Sequence, residues 1–198
     1  MNKNLWLLIL SQIFAFTAAP VTVFLSGIIG SQFSPVKSLA TLPMSLSIVG
    51  VAISTIFAAK IMSIIGRKAG FIYASIGSSL SSLLAAYSII NQSFFLFSLA
   101  CFLLGTGLAF GHQYRFAAVE TVKKDMAPKA ISIILLAGIA SAFIGPNVAN
   151  LAKETITEHL YAGSYIALAI LIVSLATVVV RFRNSKYLKI DPSKSSEL

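Results

Sequence analysis

Residues 39–90 read LATLPMSLSIVGVAISTIFAAKIMSIIGRKAGFIYASIGSSLSSLLAAYSII. Two apolar runs, 39–62 and 69–90, flank Gly66-Arg67-Lys68, the only charged interruption between them. Each run is long enough to cross roughly 30 Å of hydrocarbon as a helix rising about 1.5 Å per residue. Arginine and lysine are costly at the bilayer centre, so the turn belongs at a membrane surface. Once its side is known, the direction of every other helix follows.

The same pattern extends outward. The 198 residues are 57% hydrophobic and 11% charged, with mean hydropathy +0.89. A soluble domain carries about a quarter charged residues, more than twice this share, so the chain cannot cover a water-facing surface. Six apolar segments are expected as membrane helices: 5–29, 39–62, 69–90, 94–116, 130–152 and 160–182. Each must be helical, because lipid offers no partner for an unpaired backbone amide. The first continues through Pro20 beyond the length of a signal-peptide core and is expected to stay uncleaved. The net charge of +9 sits at segment ends rather than on a basic face, which argues against nucleic acid. Eleven Lys and Arg residues fall on the side of Gly66-Arg67-Lys68 and two, Lys37 and Lys153, on the other. By the positive-inside rule both termini are cytoplasmic. Lys60 lies near that face, where its stem can snorkel. Residues 1–183 form the bundle and 184–198 a flexible, basic cytoplasmic tail. The lone Cys101 can form no intramolecular disulfide and reads as a small packing residue.

Candidate functional residues are few. The stripe Gln12, Ala15, Ala19, Thr22 and Ser26 in the first segment could be a cavity wall or a packing seam. Gly70, Ala74, Gly77, Ser81, Ala85 and Ser88 line one stripe of the third, as a close helix contact requires. The fourth carries His112 and Arg115, three residues apart and so expected on one face. Arg115 either snorkels to the interface, pairing with Glu120 or lipid phosphate, or lines a pathway in which His112 takes protons near neutral pH. In the fifth, Gly145-Pro146 should mark a kink or close crossing, followed by Asn147 and Asn150, which either bond across an interface or face water. The nearly all-apolar sixth is expected to face lipid. No catalytic dyad, metal cluster, cofactor motif or nucleotide loop is visible, so an enzyme is not expected.

Together these features resemble one half of a major facilitator superfamily transporter. That family's first loop follows Gly-x-x-x-Asp-Arg-x-Gly-Arg-Arg/Lys. Here Ala59 replaces the first glycine and Ser63-Ile64 the Asp-Arg pair, while Gly66, Arg67 and Lys68 match. The resemblance implies that Arg67 pairs with an acidic residue at the inner end of the fourth helix, where Glu120 stands. The missing aspartate would otherwise help latch two six-helix halves together. Gly145-Pro146 matches the family's antiporter helix, whose following glycine pair is Ala149-Asn150 here. Cys101 stands where the fourth helix of drug/proton antiporters carries an arginine. The run 113–118, QYRFAA, is similar to a bacterial efflux-permease subgroup.

The resemblance implies an all-α membrane protein of six helices, a 3+3 inverted repeat forming half of a twelve-helix fold, in a bacterial cytoplasmic membrane. It implies a second six-helix half, as a separate chain or a homodimer, and alternating-access transport of a small solute of unknown identity, with proton-coupled efflux as one form. Gln12, His112, Arg115 and Asn147 are the candidate pathway residues. The alternative is a six-segment structural or assembly protein.

Overall fold

A computed structural model describes residues 3–180, which are helical with no strand among them. The tail 184–198 lies outside the described residues. Eight α-helices follow in order: α1 Lys3–Phe16, α2 Ala18–Phe33, α3 Leu42–Ile65, α4 Arg67–Ile90, α5 Phe94–Gly111, α6 Tyr114–Glu120, α7 Ala127–Ala152 and α8 Ala162–Val180. Five stretches are long and apolar enough to cross a membrane: Lys3–Phe33, Lys37–Ile65, Arg67–Ile90, Phe94–Glu120 and Lys124–Ala152. Among the described residues α8 is a further apolar helix.

The first and fourth stretches are interrupted. Pro20 has no N–H for the Phe16 carbonyl, and the helix breaks just after that residue. The Thr17 amide turns instead to the Phe14 carbonyl at 3.3 Å. The Ile13 carbonyl, which would otherwise receive that amide, accepts the Thr17 hydroxyl at 2.8 Å and the Ser141 hydroxyl at 2.9 Å. The fourth stretch breaks at His112-Gln113 with no proline nearby. The fifth, by contrast, runs unbroken through Pro146.

Between α3 and α4 the link is Gly66 alone, at φ 86° and ψ 154°. An L side chain rarely adopts that backbone, whereas glycine does so without a Cβ clash. Its amide closes α3 on Met62 O and its carbonyl opens α4 on the Gly70 amide, both at 3.0 Å.

Helix packing is by close backbone approach, as expected where lipid removes the hydrophobic drive between helices. The most extensive contact joins α3 and α5. There Gly105 lies against the Ser47 carbonyl and Gly50 against the Phe102 carbonyl, leaving no room for a Cβ on either. Next come α4 with α8 and α4 with α5; α7 packs on α1, α2, α6 and α8. One buried cluster gathers Leu25, Ala85, Phe97, Cys101, Leu104, Tyr165 and Leu168. A second gathers Leu8, Met62, Phe71, Tyr114, Ala118 and Ile134, with the Phe71 and Tyr114 rings stacked at 4.0 Å.

Two expectations shift. On α4 Gly70, Ser81, Ala85 and Ser88 of the expected stripe are buried, but Gly77 faces open space, and the buried face also takes in Ser75, Ser78, Ser79 and Ser82. The reason is α8, whose Ala169 carbonyl accepts the Ser79 hydroxyl at 3.0 Å. For the same reason α8 is not wholly lipid-facing: Tyr165, Leu168, Ala169 and Ile172 are buried, while Ile170 and Val173 point outward.

Candidate functional site

Two clusters of polar or aromatic side chains stand out, and residues 112–114 join them. The first centres on Arg67, at the start of α4. Its Nη2 donates to Glu120 Oε1 at 2.8 Å and its Nε to Glu120 Oε2 at 3.3 Å. Nη1 donates to Gln113 Oε1 at 3.2 Å and to Met62 Sδ at 3.8 Å. This two-toothed geometry matches the planar guanidinium to the carboxylate and is stronger than a single contact. Only about a quarter of each charged side chain remains exposed, 24% for Arg67 and 28% for Glu120. The network therefore ties the end of α3, the start of α4 and both ends of α6 together. Lys68 is half-buried beside it.

The second cluster lies where the two interrupted stretches meet. Phe16 ends α1, His112 follows α5, and their rings meet edge to face with centroids 5.1 Å apart at 87°. Gly111 provides the space: a Cβ there would touch the Phe16 ring at 3.1 Å. Both rings are half-buried, so part of each stays accessible. Gln12, one turn before Phe16 on the same face of α1, is 4% exposed, and its Oε1 has no hydrogen-bond partner among the described residues. Each such buried, unpaired acceptor costs about 1–3 kcal/mol.

The remaining candidates separate. The break between α5 and α6 falls at His112-Gln113, within the three-residue spacing of His112 and Arg115. Arg115 is exposed, its guanidinium 5.0 Å from the centre of the Phe116 ring. Glu120 pairs with Arg67, so the expected Arg115–Glu120 pairing gives way to a partner in better geometry. Asn147 is exposed on α7, and its Nδ2 donates to the Phe143 carbonyl of the same helix at 2.7 Å. Gly145 is where α7 crosses the first break. A Cβ there would lie 2.8 Å from Pro20 Cγ and 3.0 Å from the Thr17 carbonyl, with Pro146 half-buried alongside.

Sequence reasoning gave no role to Gln113, Met62 or Phe16. Gln113 could have been flagged, as a buried amide in an apolar run needs a partner. Phe16 carries no such signal, because one phenylalanine among fourteen is ordinary in this chain. No three His, Cys, Asp or Glu side chains gather as metal ligands among the described residues.

No protein-family model matches the chain, and no solved structure does. Three characterised or catalogued proteins are similar to it. The riboflavin transporter RfnT of Brucella anthropi is 30% identical over 192 residues, which is 97% of this chain and 48% of that protein. Two uncharacterised MFS-type transporters of Bacillus subtilis follow. YdeG is 28% identical over 75% of this chain and 35% of its own length, and YddS 26% identical over 77% and 35%. The chain thus spans about half the length, or less, of the relatives it matches. With several apolar helices and transporter relatives matched across three quarters or more of its length, this multi-pass membrane chain is similar to transporters of the major facilitator superfamily.

Proposed function

We propose that the chain is the N-terminal half of a facilitator-type secondary transporter that moves a small solute by alternating access and needs a second six-helix half to do so. The observation that carries this reading is the match to a named transporter over 97% of the chain but 48% of that protein. The packing supports it. Number the segments one to six, with α1/α2 as one and α5/α6 as four. The contact of two with four then corresponds to that of five with one, and three packs on six. Exchanging one with four, two with five and three with six maps these contacts onto each other, as a 3+3 inverted repeat requires. At 19 residues α8 reaches about 28 Å, enough for a sixth crossing. The eleven-to-two charge bias supports cytoplasmic termini, in a bacterial inner membrane.

Exposure supports the missing half. Only 17% of the most apolar window in Lys37–Ile65 and 22% in Lys124–Ala152 is buried, against 44–56% in the other three. These are segments two and five, equivalent under the exchange, and they offer a second half two matching flanks. A separate chain or a second copy could fill that place. The solute we propose is riboflavin or a compound like it, following the name of the Brucella relative. Proton-coupled efflux is part of the same proposal, with His112 the titratable group at the meeting of the interrupted segments and Gln12, Arg115 and Asn147 the further candidates for the path.

The test is flux. The chain is reconstituted in proteoliposomes alone and with a co-expressed second half, and labelled riboflavin is followed with and without a pH gradient. Flux with the pair and none with the chain alone is the expected result. A pair that assembles yet moves no riboflavin under either condition overturns the solute. If it also moves no related compound, the structural or assembly role replaces transport.

A further inference from the structure

We propose that Phe16 and His112 form a recognition platform for a planar, uncharged heteroaromatic ring, with the Gln12 amide as a polar contact at its edge. The inference deepens the transporter reading and rests on it, because in a purely structural bundle this junction would be packing alone.

The argument starts from the backbone. At membrane depth, non-helical backbone is tolerated where it is buried in protein or lines a cavity, since lipid cannot satisfy the groups it frees. Among the described residues there are two such interruptions, after Phe16 and at His112-Gln113, in segments that correspond under the proposed internal repeat. They meet, and the contact between them is aromatic. Discontinuous helices at a repeat interface are where transporters of this architecture hold solute near the midplane. Pro20 gives the Phe16 carbonyl no N–H, so the first interruption is fixed by the chain itself.

The side chains then select the ligand. In an edge-to-face pair each ring keeps part of its surface free, and both rings here are half-buried rather than sealed. A third flat ring can stack in offset on that surface. The unpaired Gln12 Oε1 one turn away suits a ring N–H. Charge excludes the alternatives. The carboxylates among the described residues are Glu120, which Arg67 holds, and Asp125, Glu154 and Glu158, which lie in turns between helices. A cationic ring would therefore find no counter-charge at the junction. An anionic one would have to compete with Phe116 for the Arg115 guanidinium, which lies 5.0 Å from that ring.

The experiment uses lumichrome, a neutral fluorescent tricyclic heteroaromatic, titrated into nanodiscs holding the full chain. Both rings and the amide belong to this chain, so the chain alone must quench it, and ribitol, a polyol without a ring, must not compete. Phe16→Leu and His112→Leu should each weaken binding about five- to tenfold, and Gln12→Leu should weaken it too. Phe16→Trp and His112→Phe, which keep a ring, should retain it, so a loss confined to the leucine variants is not unfolding. No quenching up to about 1 mM, or quenching indifferent to ring loss, overturns the platform. The flux assay above is read separately: ring binding without flux in the assembled pair refutes transport and not the platform, and flux unchanged in the leucine variants refutes the platform and not transport.

Discussion

Removing the Glu120 carboxylate tests what holds the loop between α3 and α4 in place. In Glu120→Ala, Arg67 loses two of its four contacts, at 2.8 and 3.3 Å, and keeps Gln113 at 3.2 Å and the Met62 sulfur at 3.8 Å. A fully exposed pair contributes about 0.2–1 kcal/mol, while breaking a buried one costs about 3–5 kcal/mol because the surviving charge is stranded. With 24% and 28% of the two side chains exposed, this pair lies between those limits. Gln113 softens the loss by staying bonded to the guanidinium. The expected cost is about 2 kcal/mol.

The assay is equilibrium unfolding in mixed micelles of increasing SDS fraction, followed by helical circular dichroism. The double-mutant cycle with Arg67→Ala isolates the pair, and about 1–2 kcal/mol of coupling is expected, because Arg67→Ala removes the stranded charge. Arg67→Lys should recover only part of the stability, since a lysine cannot engage both carboxylate oxygens in a planar fork. Glu120→Ala within about 0.5 kcal/mol of the parent, or strictly additive single costs, would refute the idea that this pair is structural. Unchanged stability and topology with lost flux would place Arg67 in the transport path instead.

Gly105→Leu should collapse folded yield several-fold by forcing α5 off the Ser47 carbonyl, whereas Gly77→Ala, facing open space, should leave it unchanged; gel filtration of a fluorescent fusion separates the two. Ser79→Ala should cost about 0.6–1 kcal/mol in SDS unfolding, the worth of one interhelical hydroxyl bond to Ala169. Pro20→Ala restores an amide to the Phe16 carbonyl and should straighten the first segment, lengthening nothing but lifting Phe16 from His112. Spin-label distances across Thr17 that stay at parent values would count against proline as the cause of the break.

Most of the architecture was legible because the membrane imposes it. Runs of apolar residues bounded by charge can only be helices there, and Gly66-Arg67-Lys68 had to be a surface turn. The Arg67–Glu120 contact could be anticipated from the family pattern, and the helix ends do bring these two together. What could not be read was rotation. A repeat of small residues on α4 suggested one contact face, but glycine, alanine and serine occur on several faces of that helix. Only the position of α8 decides that Ser79 is inside and Gly77 outside. The break at His112-Gln113 was hidden for a related reason: helical spacing assumes a continuous helix, and no proline marks the interruption.

The two interruptions differ in how they are encoded, and that difference bears on how each can respond. The first is local: Pro20 withholds one amide whatever surrounds it. The second has no proline, and three consecutive residues are drawn to three separate partners. His112 meets Phe16, Gln113 accepts from Arg67, and Tyr114 stacks on Phe71 with rings 4.0 Å apart. Gly105, Gly107 and Gly111 just before them lower the helical preference of the approach. A break held by tertiary contacts is conditional on those contacts, so loosening one partner should let the segment regain helix. Gln113→Leu, which frees the turn from Arg67 while adding an apolar side chain of similar size, should raise amide protection at 112–116 in hydrogen exchange. Phe71→Leu should do the same from the other side, and protection unchanged in both would mean that the break is written into 105–116 itself.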